Sequence, residues 1–413
     1  MATIKPFEAF RYSAKAGDPA ALVTQPYDKI SPAMQARYLA ASPYNLVRII
    51  LGERRASDTE SDNVYTRAAG YLNDWIRDGV LARDLAPGFY AYFQEFTVPD
   101  SGERMTRKGF IGLGLVEDYS AGVVFRHEQT LSGPKKDRLE LIRHTRANFG
   151  QIFMLYPDDE GAIDRLLDAA AERSAPVIDV ADEDRTVHRV WPVSDLEIVE
   201  HIQTLMQPKK LLIADGHHRY ETAIAYRNEN PENPAARFAM MTFVNMHSPG
   251  LRILATHRVL RGLPKFDALR FFEKAVNVGW SVGASGSVDA LKRRMAEKDP
   301  HRVQIGVLAE DEAWLMKRTR KPGEMDVPIL HDILGRLLGI TDEAVREEKY
   351  ITYVRGINAA AAEVYQRGAQ VAFLLDPTPI DEMARIAFGG GVMPQKSTDF
   401  YPKLLSGLTI YKL

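Results

Sequence analysis

The residues best equipped for chemistry form one short run, Asp215-Gly216-His217-His218-Arg219. Apolar Leu211 to Ile213 precede it, and Ala223, Ala225 and Tyr226 follow among good helix formers. A strand, a glycine-containing turn and a helix start leave backbone N–H groups without intrahelical partners. Those donors and the helix dipole favour an anion. Gly216 permits a sharp turn or a close backbone approach. Arg219 adds a planar, permanently charged fork suited to phosphate. The alternative is an N-cap aspartate followed by a solvated polar turn. His218 and Glu221 fall three residues apart on one helix face, so a metal-dependent hydrolase using them with His217 is a further alternative. The adjacent His217 and His218 cannot share that face, which counts against it.

Composition sets outer limits. The 413 residues suffice for two or three domains. The 45% hydrophobic and 26% charged content is that of a globular protein. A net charge of −2 gives no global field for nucleic acid. Cysteine is absent, which excludes disulfides, thiolate zinc sites and a thiol nucleophile. The N-terminus has no apolar signal region and no run reaches membrane-spanning length, so a cytoplasmic location is expected, with no membrane partner.

The elements that must position the run follow from pattern. Residues 1–118 read as an α+β segment. Ser31-Pro32 caps a helix, NLVRIIL after Pro43 reads as a strand, and Val64, Ala68, Leu72 and Trp75 make a helical stripe. Phe89 to Val98 and Arg107 to Glu117 read as a hairpin turning at Asp100-Ser101-Gly102. Residues 119–262 carry the central run. Here a turn is expected at Ser132-Gly133-Pro134, a helix over Lys135 to Asn148 and a buried strand over Gln151 to Tyr156, with an insertion at 157–209. Lys135 and Lys136 read as surface residues. His257-Arg258, after a strand, either closes the anion site or caps that strand. Residues 263–413 alternate helices and strands. Their tail carries Lys396-Ser397-Thr398 after three glycines, as a cover for the site or a substrate contact. The charged Gly52-Glu53-Arg54-Arg55-Ala56 reads as a solvated linker.

The stretch IADGHHRYETA resembles the phosphate-binding motif of the ParB/sulfiredoxin superfamily, in the DGHHR form of ParB-like free serine kinases. Nearly the whole chain resembles the ParB-like domain-of-unknown-function family 1015, through QPYDKIS, PYNLVRI, RHEQTLSGPKKDRL, THRVL and MPQKSTDFYPKL. The resemblance implies mixed sheets with helices, a ParB/sulfiredoxin-like centre and flanking α/β segments. It also implies a nucleotide, ATP or ADP, with Mg²⁺, and a small-molecule acceptor such as free L-serine. Sulfiredoxin chemistry itself needs a cysteine and is excluded. By this resemblance Glu128 takes the position of the catalytic carboxylate, with His127 beside it. Asp215 would act in catalysis as the Mg²⁺ ligand, since a hard cation wants oxygen. Gly216, His217, His218 and Arg219 would hold the nucleotide. Asn45, His127, Lys396 and Ser397 would touch substrate, and Asp28 lies in a ligand-facing loop. The alternative from the same resemblance is a nucleotide-binding regulator without turnover. That reading lacks a helix-turn-helix module and a basic stripe.

Overall fold

The computed structural model describes residues 1–99, 101–128 and 133–413. Asp100 and Ser132, expected in turns, lie outside them.

The chain is a mixed α/β protein built, among the described residues, on two large sheets beside three two-stranded ones. The first comprises β1 (Ile4–Lys5), β2 (Phe89–Thr97), β3 (Arg104–Leu115), β4 (Val124–Phe125), β5 (Ile152–Tyr156), β6 (Ile178–Ala181), β7 (Val187–Val193), β8 (Leu211–Asp215) and β9 (Phe238–Asn245). Their order is β4-β8-β5-β9-β3-β2-β7-β6, with β1 on β3. The pairs β4–β8 and β5–β9 are parallel; the other pairs are antiparallel. Strand β8 is covered on both faces. Leu211 and Ile213 join one core cluster, and Leu212 and Ala214 join the other. Double-sided burial is why its sequence is a continuous apolar run rather than an alternating one.

This sheet crosses the expected boundary at residue 118. The β2–β3 hairpin and the strands β6 and β7 of the expected insertion pair into the sheet that carries β8. Helices α1 (Gly133–Thr145) and α2 (His217–Glu229) pack against each other beside it.

The second sheet comprises β10 (Thr256–Leu260), β11 (Ser281–Ala284), β12 (Arg302–Ala309), β13 (Glu312–Thr319), β14 (Ile351–Arg355) and β15 (Val371–Leu374), in the order β11-β13-β12-β15-β10-β14. His257 and Arg258 therefore lie inside a strand rather than after one. Beyond the helix Ile380–Phe388 the chain returns to the first sheet's unit. Leu404, Leu405 and Leu408 are buried in that unit's core, and Thr24 pairs with Ser406. The tail thus packs, as its apolar residues require.

The run expected as a strand after Pro43 folds instead as a short helix, Val47–Ile50, whose Val47, Ile49 and Ile50 are buried. Residues 53 to 57 are exposed, as a solvated linker should be. No helix of the described residues is long and apolar enough to cross a membrane.

Candidate active site

Strand β8 delivers Asp215 to the mouth of a cleft between the two sheet units. The pairing of β8 with β5 shifts register between Ile213 and Asp215, a bulge of the kind that re-aims a side chain. Gly216 follows at φ 91°, left-handed backbone that favours glycine. A Cβ there would meet the Arg219 Nε at 3.0 Å. Helix α2 begins at once, with Gly216 as its N-cap residue, which has no side chain to cap it. Residues 214–219 line the cleft, so the start of this helix, the end that favours an anion, lies at its wall.

The cleft has a volume of about 430 Å³, within the range of small-molecule sites. The first unit contributes Tyr27, Asp28, Lys29, Glu128 and residues 214–219; the second contributes Thr256, Glu348, Tyr353 and Arg355. The returning tail closes it with Gln395, Lys396, Thr398, Asp399, Phe400 and Lys403.

Glu128 follows β4 and pairs as an isolated bridge with Met393 of the tail. Burial pushes its carboxyl up to about 7; the Lys396 backbone N–H and the Lys396 and Lys403 charges oppose that shift. A carboxyl poised there can exchange a proton near neutral pH. Asp215 behaves oppositely. Burial opposes its ionisation, but Lys403, Arg219 and Lys29 outweigh it and hold the carboxyl below the usual range. Two carboxylates in one cleft with separated protonation behaviour suit two different roles.

His127 is fully buried and lines no part of the cleft surface. Its Nδ1 lies 2.8 Å from the Ile213 carbonyl oxygen and its Nε2 2.8 Å from the Thr398 hydroxyl. It fastens the tail to β8 from beneath, so it supports the site where substrate contact was expected. Burial lowers its pKa to about 4, so the ring is neutral at pH 7. His217 packs edge-on against it, ring centroids 4.8 Å apart. Burial, then His127, drives the His217 pKa well down. The buried His217 Nε2 has no hydrogen-bond partner among the described residues. His218 lines the cleft.

Arg219 is already engaged. It donates to the Gln151 carbonyl and, at 3.3 Å, to Asp215 Oδ2. Its partners are therefore not ligand alone. Arg219→Ala is expected to lower unfolding free energy by about 1.5–3 kcal/mol as well as weaken anion binding. A urea titration matching that of wild type would contradict this role.

Asn45 is not in the cleft. It is fully buried, donates to the Ala21 carbonyl and accepts the Val47 N–H at 2.9 Å. It is an Asx turn starting the short helix, not a substrate contact. Ser397 is also turned away: its hydroxyl donates to the Pro394 carbonyl at 2.6 Å. Its neighbours Lys396 and Thr398 line the cleft instead. Arg258 is buried and donates to the Lys396 carbonyl at 2.9 Å, bracing the tail. Lys135 is no plain surface residue: it pairs with Glu221, which also lies 3.7 Å from Arg126.

Mg²⁺ is compatible with this donor set. Asp28, Glu128, Asp215 and Asp399 line the cleft, and Asp215 is held ionised. Among the described residues no group of three or more His, Asp or Glu forms a metal cage. Mg²⁺ needs none, because it takes one or two carboxylates, phosphate oxygens and water. The same finding leaves the set of His217, His218 and Glu221 unassembled as metal ligands.

Sequence reasoning missed Lys29, Tyr353, Arg355, Asp399 and Lys403, all on the cleft wall. Asp399 and Lys403 lie within the quoted stretch MPQKSTDFYPKL, and that was their only signal.

Among solved structures, a free serine kinase in complex with AMP is similar at 12% identity and TM-score 0.38, over 70% of this chain and 88% of that one. A conserved hypothetical protein from Pyrococcus furiosus matches at 12% identity and TM-score 0.36, over 70% and 91%. SbnI with a C-terminal truncation, from Staphylococcus aureus, matches at 11% identity and TM-score 0.36, over 71% and 85%. No curated protein matches the chain. The model of a family described as "Protein of unknown function (DUF1015)" matches residues 4–339. The chain belongs to that family.

Proposed function

We propose that this protein is a small-molecule kinase, moving a phosphoryl group from ATP or ADP to the hydroxyl of free L-serine or a similar small alcohol. The observation that carries the reading is Glu128, a carboxyl pushed up to about 7, in one cleft with the glycine-led start of α2. Phosphoryl transfer asks the protein mainly for positioning and charge stabilisation. The N–H groups after Gly216, with His217, His218 and Arg219, would hold the transferring phosphates. Glu128 would accept the proton of the attacking hydroxyl. The alcohol oxygen then bonds to the terminal phosphorus, and the bond to the leaving nucleotide breaks, with its electrons going to the departing phosphate oxygen. Lys29 and Lys396 lie where they can offset the charge on the transferring group. Asp215 would hold Mg²⁺, which would neutralise phosphate charge.

The test is incubation with ATP or ADP, Mg²⁺ and a panel of free amino acids and small alcohols, read by mass spectrometry. A phosphorylated acceptor is expected, with release of ADP or AMP. No phosphorylated product from any hydroxyl compound would sink the kinase reading.

A further inference from the structure

A second cavity adjoins the cleft, and Tyr27 and Arg219 line both. Its chemistry differs. Leu141 and Ile142 of α1, Ala223 of α2, and Phe149, Ile152 and Met240 supply apolar walls. The Arg138 guanidinium lies 4.1 Å from the centroid of the Tyr27 ring, so a flat cation and a flat ring stand at this cavity's edge.

We infer that this cavity takes the base of the nucleotide, an inference that rests on the kinase reading above. The two cavities divide a ligand into a polyanionic part and an apolar-faced part. An alcohol such as serine is small and polar, and its hydroxyl must reach Glu128, which lines only the cleft. Phosphates belong at the start of α2. The one remaining apolar-faced group in the reactant pair is the heteroaromatic base. The spacing agrees: six residues at about 1.5 Å rise put Ala223 roughly 9 Å along α2 from His217. That is a separation a ribose can bridge. Arg219 then lies at the junction, between the phosphates and the base.

The experiment compares ADP with inorganic pyrophosphate by calorimetry, on wild type, Ala223→Leu and Ile142→Phe, with thermal unfolding of each. Both substitutions add bulk to this cavity and leave the cleft walls untouched. Wild type is expected to bind ADP at least about tenfold more tightly than pyrophosphate, equivalent to about 1.4 kcal/mol. The folded variants should lose about tenfold or more for ADP and keep pyrophosphate affinity. Unchanged ADP affinity in both folded variants overturns the inference. So does an equal loss for pyrophosphate, or a wild type that binds the two ligands alike. Should both variants unfold, the wild-type comparison decides alone. A wild type that binds neither ligand removes the nucleotide reading, and the base site with it.

Discussion

Glu128→Gln is expected to lower turnover by roughly 10²–10⁴ while nucleotide affinity stays near that of wild type. Glutamine keeps the size and hydrogen bonding of the side chain but cannot take the hydroxyl proton. The wild-type rate should rise with pH through about 7, because burial holds the Glu128 carboxyl protonated up to that point. The residual rate of the variant should lack that limb. Stability should move the other way. A folded-state pKa of about 7 lies above the ordinary 4.5, so the native state binds more protons than the unfolded chain between those values. Wild-type stability therefore falls as pH rises through that window. At pH 8 the variant is expected to be more stable by about 2–3 kcal/mol, and at pH 4 no more stable. Wild-type turnover in the variant would remove Glu128 from the mechanism. Equal stability at pH 8 would remove the buried carboxylate.

The centre of the site was legible because its signals are local. An apolar run, a glycine and a helix-forming stretch are consecutive, and they fold as β8, Gly216 and α2. Glu128 was reached through a resemblance, and the fold brings it to the same cleft as Asp215. The opposite wall was not legible. Arg355 meets Asp399 across 44 residues, and such pairing leaves no periodicity to read. The error at Asn45 to Leu51 is also physical. A short apolar run does not by itself distinguish strand from buried helix. Here Asn45 starts a helical turn, and Val47, Ile49 and Ile50 are buried against neighbouring elements. Long-range strand pairing is likewise hidden from pattern: β3 and β9 pair across the expected boundary at residue 118, joining residues far apart in sequence.

Lys403→Met should be the most damaging single substitution for stability in the cleft. The Lys403 side chain is only 11% exposed, with Nζ 3.1 Å from Asp399 Oδ1 and 3.9 Å from Asp215 Oδ1. Burial would raise both carboxyl pKa values, yet both are depressed, and Lys403 is the leading cation acting on each. Removing one partner of a buried charge group typically costs about 3–5 kcal/mol, because the remaining charge stays desolvated. Arg219 still reaches Asp215, and Arg355 still reaches Asp399 at 2.6 Å, so the low end of that range is expected at pH 7. The sign with pH follows from the depressed carboxyls. Their stabilisation is fully present above the ordinary 3.8 and is lost as pH falls through the lowered folded-state values. Without Lys403 those values rise, so the variant's deficit should shrink as acid protonates carboxylates that no longer have a partner. Lys403 itself is raised above 10.5, so its contribution persists across neutral pH. Lys403→Met combined with Asp399→Asn should recover part of the loss, because the second change removes one uncompensated charge. Urea unfolding at pH 7 and at pH 4 measures both effects. A deficit under about 1 kcal/mol at pH 7, the scale of an exposed ion pair, would mean that water already screens these charges. The cleft would then lack the water-poor interior that makes Glu128 a base poised near neutrality.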